Sequence, residues 1–292
     1  MAKARQIVKR RKAVTNIRKI TRTMQLIANA QFQQAFKRAT ATKPYTQKIT
    51  ELVNDLAQSA GEVDHPLLRD NPDAAKDAMI VLTSNRGLCG GYNGMILRTA
   101  LAHLNAADAL PTDLFVVGKK GISYFRFLGR PMEQRIATIT DKPRFDQVEP
   151  LAIQMMDRFT AGRYRAVWVA YMKFISTGRQ RPEVLQLLPL QRMESADAAA
   201  SVAPAPSVQY EFSPEPRELL ALLLPQTVKV RLFQCFIDAA VSEQVARMVA
   251  MKTATEAAED MIKTLTRRYN RARQTQITME LLDIVGGAES VK

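Results

Sequence analysis

The residue types that most often carry enzymatic chemistry are few and scattered in this chain. Its 292 residues include two cysteines, Cys89 and Cys235, and two histidines, His65 and His103. The cysteines are too far apart in sequence for a metal-ligand pair, and neither histidine has a nearby Ser, Cys or carboxylate in a catalytic spacing. The sequence therefore predicts no catalytic set, no metal site and no cofactor.

One short segment has the composition of a binding loop. Residues 83–94 (Thr-Ser-Asn-Arg-Gly-Leu-Cys-Gly-Gly-Tyr-Asn-Gly) directly follow an apolar run. Backbone N–H groups of such a turn can bind phosphate, but the segment is neither a Walker A sequence nor G-x-G-x-x-G. We favour a tight turn that exposes a loop, with Cys89 an ordinary small side chain, and keep phosphate binding as the alternative.

The positive charge of the chain is concentrated at its start. The net charge is +14, and residues 1–50 contain 13 Lys and Arg but no Asp or Glu. Arg5 with Lys9, and Arg18 with Arg22, are like-charged pairs four residues apart, and each pair destabilises an isolated helix by roughly 0.2–0.5 kcal/mol. We therefore expect this arm to need an anionic partner, which could be an acidic protein, a nucleic acid or a membrane.

Glycine and proline divide the chain into three segments. Residues 1–60 contain no Gly and one Pro, residues 226–285 contain neither, and most of the others lie within 61–216. These residues interrupt helices, so three domains are predicted. They are an N-terminal coiled-coil helix (1–60), an α/β domain ending in an Ala/Ser/Pro-rich linker (61–216), and a C-terminal coiled-coil helix (217–292).

Both terminal segments carry apolar residues at heptad spacing, which is typical of coiled coils. The C-terminal seam is predicted at Ile237, Val241, Gln244, Met248, Met251, Thr255, Ala258, Ile262, Leu265, Tyr269, Ala272, Gln276 and Met279. The N-terminal seam is predicted at Ile7, Arg10, Val14, Ile17, Thr21, Met24, Ala28, Gln31 and Ala35. Because each seam needs a partner, we expect the two termini to pair antiparallel.

The middle segment alternates apolar runs with helical stretches. Strands are predicted at 78–84, 114–118, 166–175 and 184–188, and helices at about 94–107, 119–128 and 147–161. This alternation is typical of βαβ units and a mostly parallel sheet. The predicted fold class is α/β: a long antiparallel α-helical coiled coil from the two termini with an inserted Rossmann-like α/β domain.

The sequence shows no membrane or export signal. No purely apolar run approaches the roughly 18 residues that a membrane-spanning helix needs. The first dozen residues are basic rather than apolar, unlike a secretory signal. We expect a soluble chain made for a reducing compartment.

Three sequence blocks together resemble the gamma subunit of F-type ATP synthases. They are Asn16-x-x-Lys19-Ile20-Thr21-x-x-Met24 with Lys43-Pro44-Tyr45; Arg86-Gly-Leu-Cys-Gly-Gly91 followed by Asn93; and, in the last segment, Ser242-Glu-Gln-x-Ala-Arg-Met-x-Ala-Met-Lys252, Tyr269-Asn-x-Ala-Arg-Gln274 and Ile277-Thr278-x-Glu280-Leu281. The blocks follow the family's order and spacing over nearly the whole chain. Gln31, Asn85 and Asp283 depart from the family's usual Lys, Asp and Glu.

The resemblance implies a non-catalytic central-stalk subunit that couples proton flow through a membrane ring to the conformational cycle of catalytic beta subunits. The implied partners are the alpha and beta subunits of the catalytic hexamer, the epsilon subunit and the ring of c subunits. Nucleic acid is not among them. The implied location is the cytoplasmic side of a bacterial inner membrane, reached only through the complex. The alternatives are a basic coiled-coil nucleic-acid-binding protein and a small-molecule enzyme that uses the α/β middle.

The resemblance also implies two groups of contact residues for the beta subunits. Those expected to face the acidic beta levers are Lys19, Arg22, Met24, Arg86, Gly87, Leu88, Cys89, Gly90 and Gly91. Those expected to meet the beta catch loops are Arg273, Gln274, Thr278 and Glu280.

Overall fold

A computed structural model describes residues 2–59, 65–139, 141–190 and 216–289. Two long helices are the first and last elements of a chain whose middle alternates strands and helices. The elements are α1 (Ala2–Ser59), β1 (Asp77–Leu82), α2 (Tyr92–Leu104), β2 (Thr112–Val117), α3 (Lys119–Phe127), β3 (Gln134–Ile136), α4 (Phe145–Thr160), β4 (Val167–Ser176), β5 (Arg179–Leu188) and α5 (Pro216–Glu289). The predicted linker at 194–216 lies outside the described residues except for Pro216.

The five strands form one sheet of order β3-β2-β1-β4-β5. The β1–β2, β1–β4 and β2–β3 pairs are parallel, and only β4–β5 is antiparallel. This order makes the sheet doubly wound, because the chain leaves β1 toward one edge and returns to its other side at β4. The predicted Rossmann-like α/β class is therefore confirmed. The short β3 is a strand that the sequence pattern does not predict.

Helices cover both faces of the sheet. Side chains of β1 alternate between these two faces, so every residue of the strand is buried. Ile80 and Leu82 join a core with α4 and the first part of α5, which contributes Leu224, Val228 and Leu232. On the other face α2 packs against β1, β4 and β5, and α3 packs against β2. The apolar start of α5 is thus a core helix of the sheet.

By Cα packing the chain forms two units. We call residues 1–30 with 246–292 the helix-pair unit, and residues 31–245 the sheet unit. Both α1 and α5 contribute to each unit, and the helices run through Pro44 and Pro225 respectively. The boundaries predicted at 60 and 217 coincide with helix ends rather than with this division, so the three-domain description stays a prediction.

Inside the sheet unit, the β4–β5 hairpin extends beyond the strands it joins. β1 pairs with β4 only as far as Ala170, whereas the hairpin continues to the Ser176–Arg179 pair. Phe174 packs in this extension against Phe32 and Phe36 of α1, with ring centroids 6.5 and 5.9 Å apart. The extension therefore braces the part of α1 that belongs to the sheet unit.

In the helix-pair unit the two helices pack antiparallel. Thr21 faces Thr255, with the two hydroxyl oxygens 2.8 Å apart, and Arg11 lies over the ring of Tyr269 at 5.5 Å. The seam predicted for α5 is confirmed from Met251 to Gln276, since each of its positions there is buried or half-buried. The last predicted position, Met279, is 59% exposed.

The seam predicted for α1 is wrong at two of its nine positions, and the other seven are buried or half-buried. Arg10 is exposed and Ile17 is 52% exposed. Their places are taken by Arg11 over Tyr269 and by Arg18, whose Nη1 lies 4.0 Å from Oε1 of Glu259. A long Arg side chain can cover a seam with its methylene groups while its charged end stays in water. A search for apolar residues alone therefore misses the seam positions that Arg11 and Arg18 occupy.

Candidate partner-binding surfaces

The loop after β1 lies at the topological switch point of the sheet, between β1 and β4. Doubly wound sheets bind phosphate-bearing ligands at this position. Residues 83–91 connect β1 to the first turn of α2, and the start of α3 lies beside them. The location alone is therefore compatible with a phosphate site, and the hydrogen bonds of the loop decide the question.

The backbone donors at the start of α3, beside the loop, are bound by oxygens of the protein. At the start of α3, Lys119 N donates to Asn85 Oδ1 at 3.2 Å, Lys120 N to the Ser84 carbonyl at 3.1 Å, and Gly121 N to Thr83 Oγ1 at 2.9 Å. Gly118 and Gly121 pack so closely against Thr83 that neither position has space for a side chain. A Cβ on Gly118 would lie 2.1 Å from the Thr83 carbonyl oxygen, and a Cβ on Gly121 would lie 2.6 Å from Thr83 Oγ1. The loop is thus a closed turn.

The same turn exposes one apolar side chain and encloses a thiol. Leu88 has φ of 64°, a left-handed conformation that side-chain-bearing residues rarely adopt, and it is 60% exposed. Cys89 is 2% exposed, and its Sγ accepts a hydrogen bond from Asn93 Nδ2 at 3.3 Å. Of the predicted loop contacts, the side chains of Arg86 and Leu88 reach the surface and that of Cys89 does not.

Arg86 is held by an acid from a distant part of the chain. Its Nη2 donates to Oδ2 of Asp141 at 2.7 Å. This hydrogen bond, the attraction of Asp141 and a weaker attraction from Glu243 raise the pKa of Arg86 above its ordinary value. Sequence reasoning missed Asp141 because it lies 55 residues from Arg86, and no local spacing relates the two.

The predicted lever contacts on α1 lie in the helix-pair unit. Lys19 and Arg22 are exposed, and Met24 is half-buried. Arg22 Nη1 donates to Oε1 of Gln25 on the same helix at 3.2 Å. The loop of Arg86 lies in the sheet unit. The nine predicted lever residues are therefore divided between the two units, three in the helix-pair unit and six in the sheet unit.

The predicted catch residues lie on the last turns of α5 and are all exposed: Arg273, Gln274, Thr278 and Glu280. Glu280 accepts a hydrogen bond from Gln276 Nε2 at 2.8 Å. Around them the helix also exposes apolar side chains, each between 47% and 69%: Ile277, Met279, Leu281, Leu282, Ile284 and Val285. A helix end that is apolar on several sides yet exposed is typical of a protein-binding element.

Neither thiol is placed for nucleophilic chemistry. Burial raises the pKa of Cys235 to about 12, and a thiol so far from ionisation is a poor nucleophile. Among the described residues, no group of three or more His, Cys, Asp and Glu side chains could hold a metal ion.

One stretch of α5 is apolar enough to match a membrane span by composition. An 18-residue window within Glu218–Gly286 has a mean hydropathy of 1.3, and 44% of it is buried. Core helices of soluble proteins reach similar values, and the core contacts of Leu224, Val228 and Leu232 explain the apolar character of the first part of α5.

Comparison with known proteins gives one consistent result. A family profile described as ATP synthase matches residues 3–291. The chain is 45% identical over 295 residues to the ATP synthase gamma chain of Rhodopirellula baltica and 38% identical over 293 residues to that of Leptospira biflexa, with full coverage of both chains in each case. These matches give no support to the nucleic-acid-binding alternative.

Solved structures with the same fold come from ATP synthase assemblies. A chain of the Euglena gracilis mitochondrial ATP synthase rotor is similar with a TM-score of 0.63 at 16% identity, covering 94% of this chain and 99% of that one. A chain of the OSCP/F1/c-ring assembly from the same organism gives 0.67 at 17% identity, covering 99% and 95%. At such identities the likeness describes the fold alone.

Proposed function

The chain belongs to the gamma-chain family of ATP synthases and is a subunit of the central stalk, and from this premise we propose that it is a non-catalytic rotor shaft. In this proposal ATP is made and hydrolysed on the alpha and beta subunits. This chain couples proton flow through the c ring to the conformational cycle of the three beta subunits.

The antiparallel helix pair is the observation that carries the proposal. Its seam is narrow, and the apolar cluster in it consists of Val14, Ala258 and Leu265 with two half-buried neighbours. Its outer side exposes Ile20 and Ile27 beside the cations of α1. A helix pair that leaves so much apolar and cationic surface in water is suited to contact with surrounding subunits.

The closed turn supports the non-catalytic part of the proposal. In the sheet unit the N–H groups that begin α3 are already bound to Thr83, Ser84 and Asn85. A nucleotide phosphate at the switch point would have to displace these bonds, each of which is costly to leave unmade. We therefore assign no nucleotide chemistry to this chain.

We assign the proposed partners by surface. Lys19, Arg22 and Met24, and separately the Arg86–Gly91 loop, face acidic levers of the beta subunits. The exposed end of α5, with Arg273, Gln274, Thr278 and Glu280, meets their catch loops. The sheet unit binds the epsilon subunit and the c ring, which links the stalk to the membrane.

The chain belongs to the part of ATP synthase that is associated with a membrane. We propose the cytoplasmic side of a bacterial inner membrane. The bacterial relatives from Rhodopirellula and Leptospira support this location.

The proposed mechanism is a population shift. A shaft with different side chains on different faces stabilises a different conformation of each beta subunit at each angle, although the three subunits are chemically identical. A ligand shifts such an equilibrium only through its differential affinity for the states. Screened electrostatic attraction between the cationic arm of this chain and acidic levers does not depend on one specific ion pair. It therefore persists as the shaft rotates past each lever.

The test uses the full chain assembled with alpha and beta subunits. We expect ATP turnover from the assembly and none from the chain alone. In membrane vesicles that hold the complete complex with its c ring, we expect Arg273→Ala combined with Gln274→Ala to lower proton pumping per ATP hydrolysed. The matched control is Arg267→Ala with Arg268→Ala, two exposed positions two turns earlier on the same helix. Turnover by the isolated chain, or unchanged coupling in the Arg273/Gln274 variant, contradicts the proposal.

A further inference from the structure

Two lysines at the start of α3 occupy a position that is unfavourable for them. Lys119 and Lys120 are the first residues of the helix, both are exposed, and its first turn contains no acid. The N-terminus of a helix carries partial positive charge, so cations there reduce its stability. No acidic group of the described residues forms an ion pair with either lysine. Local stability therefore does not explain their presence.

The start of α3 and the loop after β1 are joined into one rigid piece. Asn85 bonds in both directions, since its Oδ1 accepts from Lys119 N at 3.2 Å and its Nδ2 donates to the Ile139 carbonyl at 2.9 Å. The bond from Lys120 N to the Ser84 carbonyl adds a second tie at 3.1 Å. These bonds hold the backbone of Lys119 and Lys120 beside the Arg86–Gly91 loop.

The side chain of Lys120 lies directly against that loop. A Cβ placed on Gly87 would be 3.4 Å from Lys120 Cε and 3.6 Å from its Nζ. The neighbouring Leu88 projects outward with 60% of its surface exposed. The ammonium group of Lys120 thus lies beside Gly87, the residue that immediately precedes the exposed Leu88.

The positive potential of this surface comes mainly from the lysines. Arg86 carries the loop's own charge, but Asp141 lies 2.7 Å from its guanidinium and offsets it. Lys119 and Lys120 have no such neutralising neighbour among the described residues. An incoming anionic group is therefore attracted to the lysine side of the loop more strongly than to Arg86.

We propose that Leu88, Lys119 and Lys120 form, with the Gly87 turn, one binding surface for an acidic protein segment that also contributes an apolar side chain. This inference rests on the proposed function, in which an acidic segment of the beta subunit reaches the loop. It assigns the attraction to residues of α3, which the loop motif does not include, and the apolar contact to Leu88.

The test measures the kinetics with which the alpha–beta hexamer binds the immobilised full chain. Lys119→Glu combined with Lys120→Glu is expected to slow association about tenfold at about 0.1 M salt and much less at about 1 M, because charges steer association and salt screens them. Acidic residues are favourable at a helix N-terminus, so the variant keeps or gains thermal stability and misfolding does not explain a loss. Arg126→Glu, exposed at the other end of α3, is the matched control for the single variant Lys119→Glu, which changes the net charge by the same amount.

Leu88→Asn tests the apolar half of the surface. Asn tolerates the left-handed conformation of this position, so the turn is expected to persist while dissociation from the hexamer becomes about fivefold faster, since apolar contacts affect mainly the dissociation rate. A double lysine reversal that associates as fast as Arg126→Glu at low salt overturns the inference. Failure of the unmodified chain to bind the hexamer overturns the proposed function instead.

Discussion

The sheet unit and the helix-pair unit differ in how they are held together. The sheet unit encloses large side chains completely, among them Tyr164, Phe115 and Phe159. The helix-pair unit buries small or polar side chains at its seam, including Ala28, Thr21 and Thr255. Burial of large apolar groups is the main source of folding free energy. We infer that the sheet unit is stabilised mainly by its own core, whereas the helix pair gains less stability from its own seam.

The largest expected effect separates the two units directly. Phe159→Ala removes a fully buried ring from the core of the sheet unit and should lower the free energy of unfolding by about 3–5 kcal/mol. Val14 is 7% exposed in the helix-pair unit. Val14→Ala should lower the free energy of unfolding by only roughly 1–2 kcal/mol, because it removes fewer carbon atoms and the seam around it buries less apolar surface. Urea denaturation of the full chain measures both. Equal losses would remove the distinction between the units.

The next effect concerns the closed turn of the sheet unit. Gly118→Ala places a Cβ 2.1 Å from the carbonyl oxygen of Thr83 at φ of 93° and should cost roughly 2–4 kcal/mol. Gly129→Ala is the matched control, since its φ is also positive, 66°, but no atom lies within 4 Å. It should cost about 1–2 kcal/mol from backbone strain alone. Thermal melting compares the two, and similar shifts would mean that the turn is not tightly packed.

A smaller effect is expected at the polar layer of the helix pair. Thr21 Oγ1 and Thr255 Oγ1 lie 2.8 Å apart, and both are buried. Thr255→Val should cost about 0.5–1.5 kcal/mol because it removes that hydrogen bond. The Thr21→Val, Thr255→Val double variant should be nearly neutral, since two apolar groups of the same shape replace both partners. A double-mutant cycle by urea denaturation measures the coupling, and additive losses would show that the pair does not interact.

The smallest effect is a dependence of stability on acid pH in the sheet unit. Burial raises the pKa of Asp113, but hydrogen bonds from Lys76 and Tyr164 outweigh it, and the pKa lies below the ordinary value of 3.8. A depressed folded-state pKa stabilises the fold above the ordinary value, and this contribution is lost as pH falls through the folded pKa. Asp113→Asn should therefore flatten the stability curve below pH about 4. The exposed Asp108→Asn serves as control, and an equal flattening there would contradict the assignment.

Periodicity placed the seam of α5 more accurately than that of α1, where Arg10 and Ile17 are exposed, and the difference has a physical cause. The seam of α5 uses apolar residues such as Met251, Ala258 and Leu265, whose burial follows from their chemistry alone. The seam of α1 includes the half-buried Arg11 and Arg18, whose positions depend on Tyr269 and Glu259 opposite them. A pattern within one helix does not contain the identity of the residues across from it.

The same limit applies to the candidate surfaces. The exposed catch residues on α5 could be named from a family motif, and their roles stay a prediction. Asp141 and Lys120 belong to the neighbourhood of the Arg86–Gly91 loop, although they lie 55 residues from Arg86 and 33 from Gly87. The sequence of the loop itself does not predict that these two residues lie beside it.

Local rules were enough to establish the alternation of strands and helices, the long terminal helices and the family. They depend on the spacing of apolar, Gly and Pro residues, which act over a few positions of the chain. Three features depended on residues brought together from far apart: the places of Arg11 and Arg18 in the α1 seam, the ion pair of Arg86 with Asp141, and the hydrogen bonds between the loop and the start of α3. These contacts form only when the chain folds, because their partners are far apart in sequence and no local spacing relates them.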